Sequence, residues 1–83
     1  MVHKTDYIVL FHQDDNDWET ISIFERNDRE SLKEQITMQM VEWDYDINEL
    51  DTLIDNIVED LYNDNYYEDE CFKFKTELVA FYI

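Results

Sequence analysis

The chain has no glycine and no proline among its 83 residues, where average usage would supply about six and about four. Phosphate-cradling loops, dinucleotide fingerprints and nucleophile elbows need glycine where backbone approaches a ligand or takes a positive φ, so those function classes find no support. Tight turns must fall to Asn and Asp, which tolerate the left-handed region better than other residues. A single cysteine, Cys71, rules out an internal disulfide. No basic leader precedes an apolar run, and no apolar run approaches about 18 residues, so the expectation is a soluble cytoplasmic protein with no membrane span.

Positive charge is the next scarcity. Six Lys+Arg stand against 22 Asp+Glu, a net charge of −16. From Glu34 to Cys71 there are 13 carboxylates and no lysine or arginine, and the basic clusters Arg26/Arg29/Lys33 and Lys73/Lys75 lie outside that stretch. Such a surface repels nucleic acid and anionic lipid and attracts proteins built to hold them. Charge of this size suggests disorder, but 45% of residues are hydrophobic and 16% aromatic, enough for one folded domain spanning residues 1–83.

Hydrophobic periodicity predicts the order β-β-α-α-β. Asp6 to Gln13 contains the run Tyr7-Ile8-Val9-Leu10-Phe11, apolar on both faces and so a central strand. Asp14-Asp15-Asn16-Asp17 marks a turn. Trp18 to Glu25 then alternates, with Ile21 and Ile23 on one face and Trp18, Thr20, Ser22 and Phe24 on the other. Leu32, Ile36, Met40 and Trp43 recur at helical spacing, with Asn27 and Glu30 as a cap pair. Ile47, Leu50, Ile54, Ile57, Val58 and Leu61 form a second helical stripe, capped by Asp46 with Glu49 and ending near Asn63 to Asn65. Phe72 to Tyr82 alternates as a last strand. The fold class is α+β: a three-stranded, mainly antiparallel sheet with an αα-hairpin on one face. The last strand should run antiparallel to the second, on either edge of the hairpin. The other sheet face, with Trp18, Phe24, Val79 and Phe81, invites cover by a second copy of the chain.

The candidate partner-binding residues are Glu42, Asp44, Asp46, Glu49, Asp51, Asp55, Glu59, Asp60, Asp64, Glu68, Asp69 and Glu70. Asp51, Asp55 and Glu59 stand four residues apart and make one helical stripe, with Glu49, Asp60 and Asp64 on the other flank. Like charges at this spacing cost roughly 0.2–0.5 kcal/mol per pair, so something other than folding favours them. Duplex DNA carries a charge every 1.7 Å or so, which makes 16 charges about 27 Å of duplex. A compact domain of this length has a diameter near 30 Å on the usual size scaling. Tyr62 falls beside the Asp51/Asp55/Glu59 stripe and Tyr66-Tyr67 in a polar loop, which leaves two readings open for these tyrosines: exposed among the acids and suited to stacking on a partner's arginines, or packed on the sheet edge. Trp43 reads as core.

Asp14-Asp15-Asn16-Asp17 resembles a calcium loop, but counting from Asp15 puts Thr20 where glycine belongs and Arg26 where the bidentate Glu belongs, so it reads as a turn. His3 near the terminus, His12 at a strand end facing solvent, and Cys71 form no catalytic constellation. The expectation is no enzyme, no metal and no cofactor.

Small size, charge and acids massed on a helical hairpin make the chain resemble the small acidic DNA-mimic inhibitors of phages and mobile elements. The resemblance is one of physical type, with no shared motif, and carries over no site residue. It implies an anti-restriction, anti-CRISPR or similar inhibitor whose partner is a basic nucleic-acid-binding host protein, in the host cytoplasm if phage-encoded. Two alternatives stay open: an acidic or immunity-type partner that blocks a basic surface without imitating DNA, and a structural or solubility role as a dimer.

Overall fold

The computed structural model describes residues 4–25 and 28–82. His3, Arg26, Asn27 and the side chain of Phe81 lie outside what is described, and with them the readings placed on those residues.

Strands β1 (Lys4–Asp14) and β2 (Asp17–Phe24) are followed by helices α1 (Arg29–Glu42) and α2 (Asp51–Asp64), then strands β3 (Tyr66–Glu68) and β4 (Lys73–Tyr82). The sheet is antiparallel throughout, in the order β2-β1-β4-β3. The α+β class and the helical hairpin are as the periodicity predicts, and β1 is central, in keeping with its apolar run. The strand count is four rather than three. Tyr66–Glu68, expected to be loop, pairs with β4, Tyr67 lying opposite Phe74. That extra strand also changes a direction. β3 runs against β2, as a strand leaving the hairpin was expected to do, but the chain then reverses once more, so β4 points the same way as β2 and docks on β1.

Asn and Asp do make the turns. All four non-glycine residues with positive φ among the described ones are Asp15 (48°), Asn16 (75°), Asp44 (64°) and Asn65 (60°). Asp15 and Asn16 form the two-residue hairpin turn, whose two positive φ angles match the strand twist. Asp44 sits just past the end of α1, where Asp44 N donates to Val41 O and Tyr45 N to Met40 O. That is the Schellman pattern, with Asp where glycine usually stands. Asn65 ends α2 in the same left-handed conformation, its N–H donating to Leu61 O.

The helix starts differ from expectation. Asp28 caps α1, its carboxylate accepting from Ser31 N at 2.7 Å. Asp46 does not cap α2; it accepts from Asn48 N at 3.0 Å within a turn, and the helix begins only at Asp51 with no side-chain cap. Ile47 and Leu50, read as helical, lie in that turn yet still pack on the core.

Leu32, Ile36 and Met40 of α1, with Ile54, Ile57, Val58 and Leu61 of α2, bury against Leu10, Tyr67, Phe72 and Phe74. Full burial of such a side chain is worth about 1.5–3 kcal/mol, so this layer outweighs any single polar contact. A register shift between Leu10 and Phe11 corrects the reading of β2: Leu10 pairs with Ser22 but Phe11 with Thr20, leaving Ile21 as the extra residue. Beyond this bulge the alternation flips. Ile21 and Phe24 therefore both pack on the core while Ile23 is exposed, and Phe24 leaves the open face on which Trp18 remains. There, Lys75 lies 4.5 Å over the Trp18 ring and 5.0 Å over Phe11, and Lys73 lies 5.9 Å over Trp18. These lysine stems cover apolar surface.

The molecule measures 48 × 27 × 23 Å with a radius of gyration of 13.4 Å. It is longer than the compact sphere expected.

Candidate functional site: an acidic surface and an aromatic recess

All twelve carboxylates named as partner-binding candidates are exposed, from Glu42 to Glu70. They do not form one uniform surface. The stripe Asp51, Asp55 and Glu59 faces α1, whose cations meet it. Arg29 donates twice to Glu59, at 2.9 and 3.2 Å, and Lys33 approaches Asp55 at 3.0 Å and Asp51 at 3.8 Å. The bonds from Arg29 and Asn63 hold the Glu59 carboxyl below the usual range, and those pairs raise Arg29 and Lys33 above theirs. Basic residues outside the acidic stretch in sequence thus compensate it in space.

Glu42, Asp44, Asp46, Glu49, Asp60, Asp64 and Glu70 meet no cation within ion-pair distance among the described residues. Asp60 and Asp64 lie on the flank of α2 away from that stripe by helical spacing, Asp60 near enough to Tyr67 of β3 for its charge to act on the hydroxyl; Glu49 belongs to the turn before the helix. Glu68 is 3.9 Å from Lys73. Asp69 is structural: its carboxylate accepts from Tyr67 Oη, from Cys71 N at 2.7 Å and from Phe72 N at 2.6 Å.

The tyrosines separate. Tyr62 is exposed, but its ring already carries an arginine of this chain, Arg29, 4.4 Å away. Tyr66 is exposed and donates to Glu68 at 2.6 Å, a bond that raises its pKa. Tyr67 follows the packing alternative and leaves the partner-binding set: it is buried, because β3 pairs it opposite Phe74 on the core face. Burial first, and the bond to Asp69 second, push its hydroxyl pKa upward.

His12 departs from expectation. It is half-buried rather than facing solvent, its ring 4.6 Å from Trp43 and 5.3 Å from Phe74. Desolvation lowers its pKa, against the opposing pull of Asp14 and Glu19. Trp43, as expected, packs on the core, stacking at 6.2 Å on Phe72, which Tyr45 meets edge-on at 5.5 Å. His12, Trp43, Tyr45 and Phe72 line a recess of about 310 Å³ with Asp14, Glu19 and Cys71 at its walls. Sequence reasoning missed His12, Asp14 and Glu19 as a group. The signal was available: a two-residue turn at Asp15-Asn16 sets Asp14 opposite Asp17 and His12 opposite Glu19.

No group of His, Cys, Asp and Glu among the described residues is arranged to hold a metal ion. No described helix is long and apolar enough to cross a membrane. Compared with family models, curated proteins and solved structures, the chain matches none.

Proposed function

We propose that this chain is a nucleic-acid mimic that inhibits a basic DNA- or RNA-binding protein by occupying its groove, with no catalytic step and no direct contact with nucleic acid. The observation that carries the reading is the imbalance of the surface. The carboxylates from Glu34 to Glu70 are all exposed, while Arg29, Lys33, Lys73 and Lys75 are already engaged within the molecule. Among the described side chains, what is left to meet a partner is negative.

The shape adjusts the scale. Along 48 Å, a net charge of −16 averages one charge per 3 Å or so, against about 3.4 Å along one nucleic-acid strand and about 1.7 Å along a duplex. The density supports imitation of a single strand better than of a duplex. A counter-defence role in a host cytoplasm, against a restriction, CRISPR or other nucleic-acid enzyme, fits such a surface.

Affinity capture from a host lysate, followed by competition, tests this. A nucleic-acid-binding protein should be captured and then released by single-stranded nucleic acid at low salt. Capture of a basic protein that no nucleic acid displaces would favour the second reading, an acidic partner that blocks a basic surface without mimicry. The recess beside His12 favours that reading, since phosphate imitation does not require it.

A further inference from the structure

The recess at the hairpin end of the sheet combines three features. Its floor is aromatic, from Trp43 and Phe72, with Tyr45 standing 46% exposed beside them. Its mouth carries two exposed carboxylates, Asp14 and Glu19, and between floor and mouth lies His12. At about 310 Å³ it is at the lower limit of ligand pockets, which run from about 300 to about 1,000 Å³. That suits one side chain rather than a nucleotide.

Its chemistry selects a cation. Ring faces attract positive charge, and the carboxylates at the mouth add to that field. The described cations of this chain lie elsewhere, Arg29 and Lys33 on the helical hairpin and Lys73 and Lys75 over Trp18 on the open sheet face. Metal ions lack a ligand set here. Among organic cations, guanidinium fits best: it is planar and weakly hydrated, and its five donors can reach two carboxylates and a neutral imidazole while its face lies on an indole. An ammonium is more strongly hydrated and offers no plane to stack. The molecule already holds one arginine with the same parts, since Arg29 lies over Tyr62 while donating twice to Glu59.

We propose that this recess seats an arginine side chain of the basic partner, its guanidinium stacked on Trp43 and bonded to Asp14 and Glu19. Only the partner's identity rests on the function proposed above. The seat supplies an anchor of packed aromatic and charged groups, of the kind that dominates binding energy at interfaces, which salt weakens less than a diffuse acidic face.

The test is an NMR titration of the whole chain with a short arginine-containing peptide and its lysine counterpart. The arginine peptide should give saturable shifts centred on the Trp43 indole N–H and His12. The Asp14→Asn/Glu19→Gln double variant should weaken it by about fivefold or more, and the lysine peptide should bind several-fold more weakly. Both substituted positions are exposed, so an unchanged dichroism spectrum checks the fold. Shifts spread over the α2 acids, an unchanged affinity in the double variant, or equal binding of the lysine peptide would each overturn the assignment. The titration involves no nucleic-acid-binding protein, so a failed seat and a failed mimic are told apart: the first shows here, the second in the competition assay.

Discussion

Tyr67 donates its hydroxyl to the carboxylate of Asp69, two residues along, and that carboxylate also accepts from the backbone N–H groups of Cys71 and Phe72. One acidic side chain thereby closes the β3–β4 turn and fixes the edge strand that carries the buried Tyr67. In a chain without glycine, a side chain does what turn backbone would otherwise do.

Removing that acceptor should be costly. Asp69→Ala leaves the hydroxyl of Tyr67 and two backbone donors without their partner and is expected to destabilise the fold by about 1–3 kcal/mol. Asp69→Asn keeps one carbonyl acceptor and should recover part of the loss. Urea unfolding of the three proteins reads this directly. If Asp69→Ala unfolds at the wild-type midpoint, the turn is held by something else.

The pH dependence follows from the same pair. Burial works to raise the Asp69 carboxyl, but the bonds from Tyr67, Phe72 and Cys71 outweigh it and the pKa is lowered. A folded-state value below the unfolded one gives stability that is complete above about pH 4 and is lost as pH falls further. Tyr67 is the mirror case. Its raised value keeps the neutral phenol in the fold, so its contribution is complete below about pH 10 and is lost as pH rises past it. Denaturation midpoints should fall at both ends, and Asp69→Asn should flatten the acid limb.

Asp44 offers an opposite kind of change. At φ 64° it occupies a left-handed position that Asp tolerates better than most residues but that glycine takes without steric cost. It also adds an unpaired carboxylate at the C-terminal end of α1, where the helix dipole disfavours negative charge. Asp44→Gly should therefore stabilise the protein by about 0.5–1 kcal/mol. Calorimetry checks it, and a lower melting temperature would show that the aspartate makes a contact worth more than the strain.

How far these features could be read in the sequence depended on whether their causes were local. The residue types of the four positive-φ turn positions followed from composition, because with no glycine Asn and Asp are the residues that take positive φ most readily, whereas the place of Asp44 did not. Ile54, Ile57, Val58 and Leu61 announced their helix face by spacing alone. Non-local pairing was hidden. Three residues, Tyr66–Glu68, are too few to show a period and became a strand only because β4 offered an edge. The bulge at Ile21 depends on how β2 meets β1, and it moved Phe24 to the other face. For the site, exposure of the acids was legible from charge, whereas the pairing of Asp55 with Lys33, 22 positions apart, required the hairpin to close. His12 looked solvent-facing because Trp43, its cover, comes from another element.

Salt should separate paired from unpaired acids. Self-repulsion destabilises a fold this negative, and at 0.1 M salt screening already acts within about 10 Å. Raising salt from about 0.05 to about 0.5 M is expected to raise the melting temperature by several degrees. Lys33 now shields Asp51 and Asp55, so Lys33→Gln should lower the melting temperature at low salt and steepen its rise. A melting curve insensitive to salt would mean that the acids lie too far apart to repel.

The two flanks of α2 should contribute unequally to partner binding. Asp51, Asp55 and Glu59 must surrender Lys33 and Arg29 before they can meet a partner's cations, so part of any gain replaces an ion pair already present. Asp60 and Asp64 give up no cation of the chain. Asp60→Asn/Asp64→Asn should therefore weaken binding to a captured basic partner by on the order of tenfold, mainly through a slower association rate that depends on salt. Asp51→Asn/Asp55→Asn should cost less, about threefold or under on the same grounds, and should leave Lys33 free as a positive charge at the interface. Association and dissociation rates measured at two salt concentrations decide between the flanks. Equal losses would show that Lys33 and Arg29 move aside on binding, and a larger loss from the Asp51/Asp55 pair would place the contact on the α1 side of the hairpin.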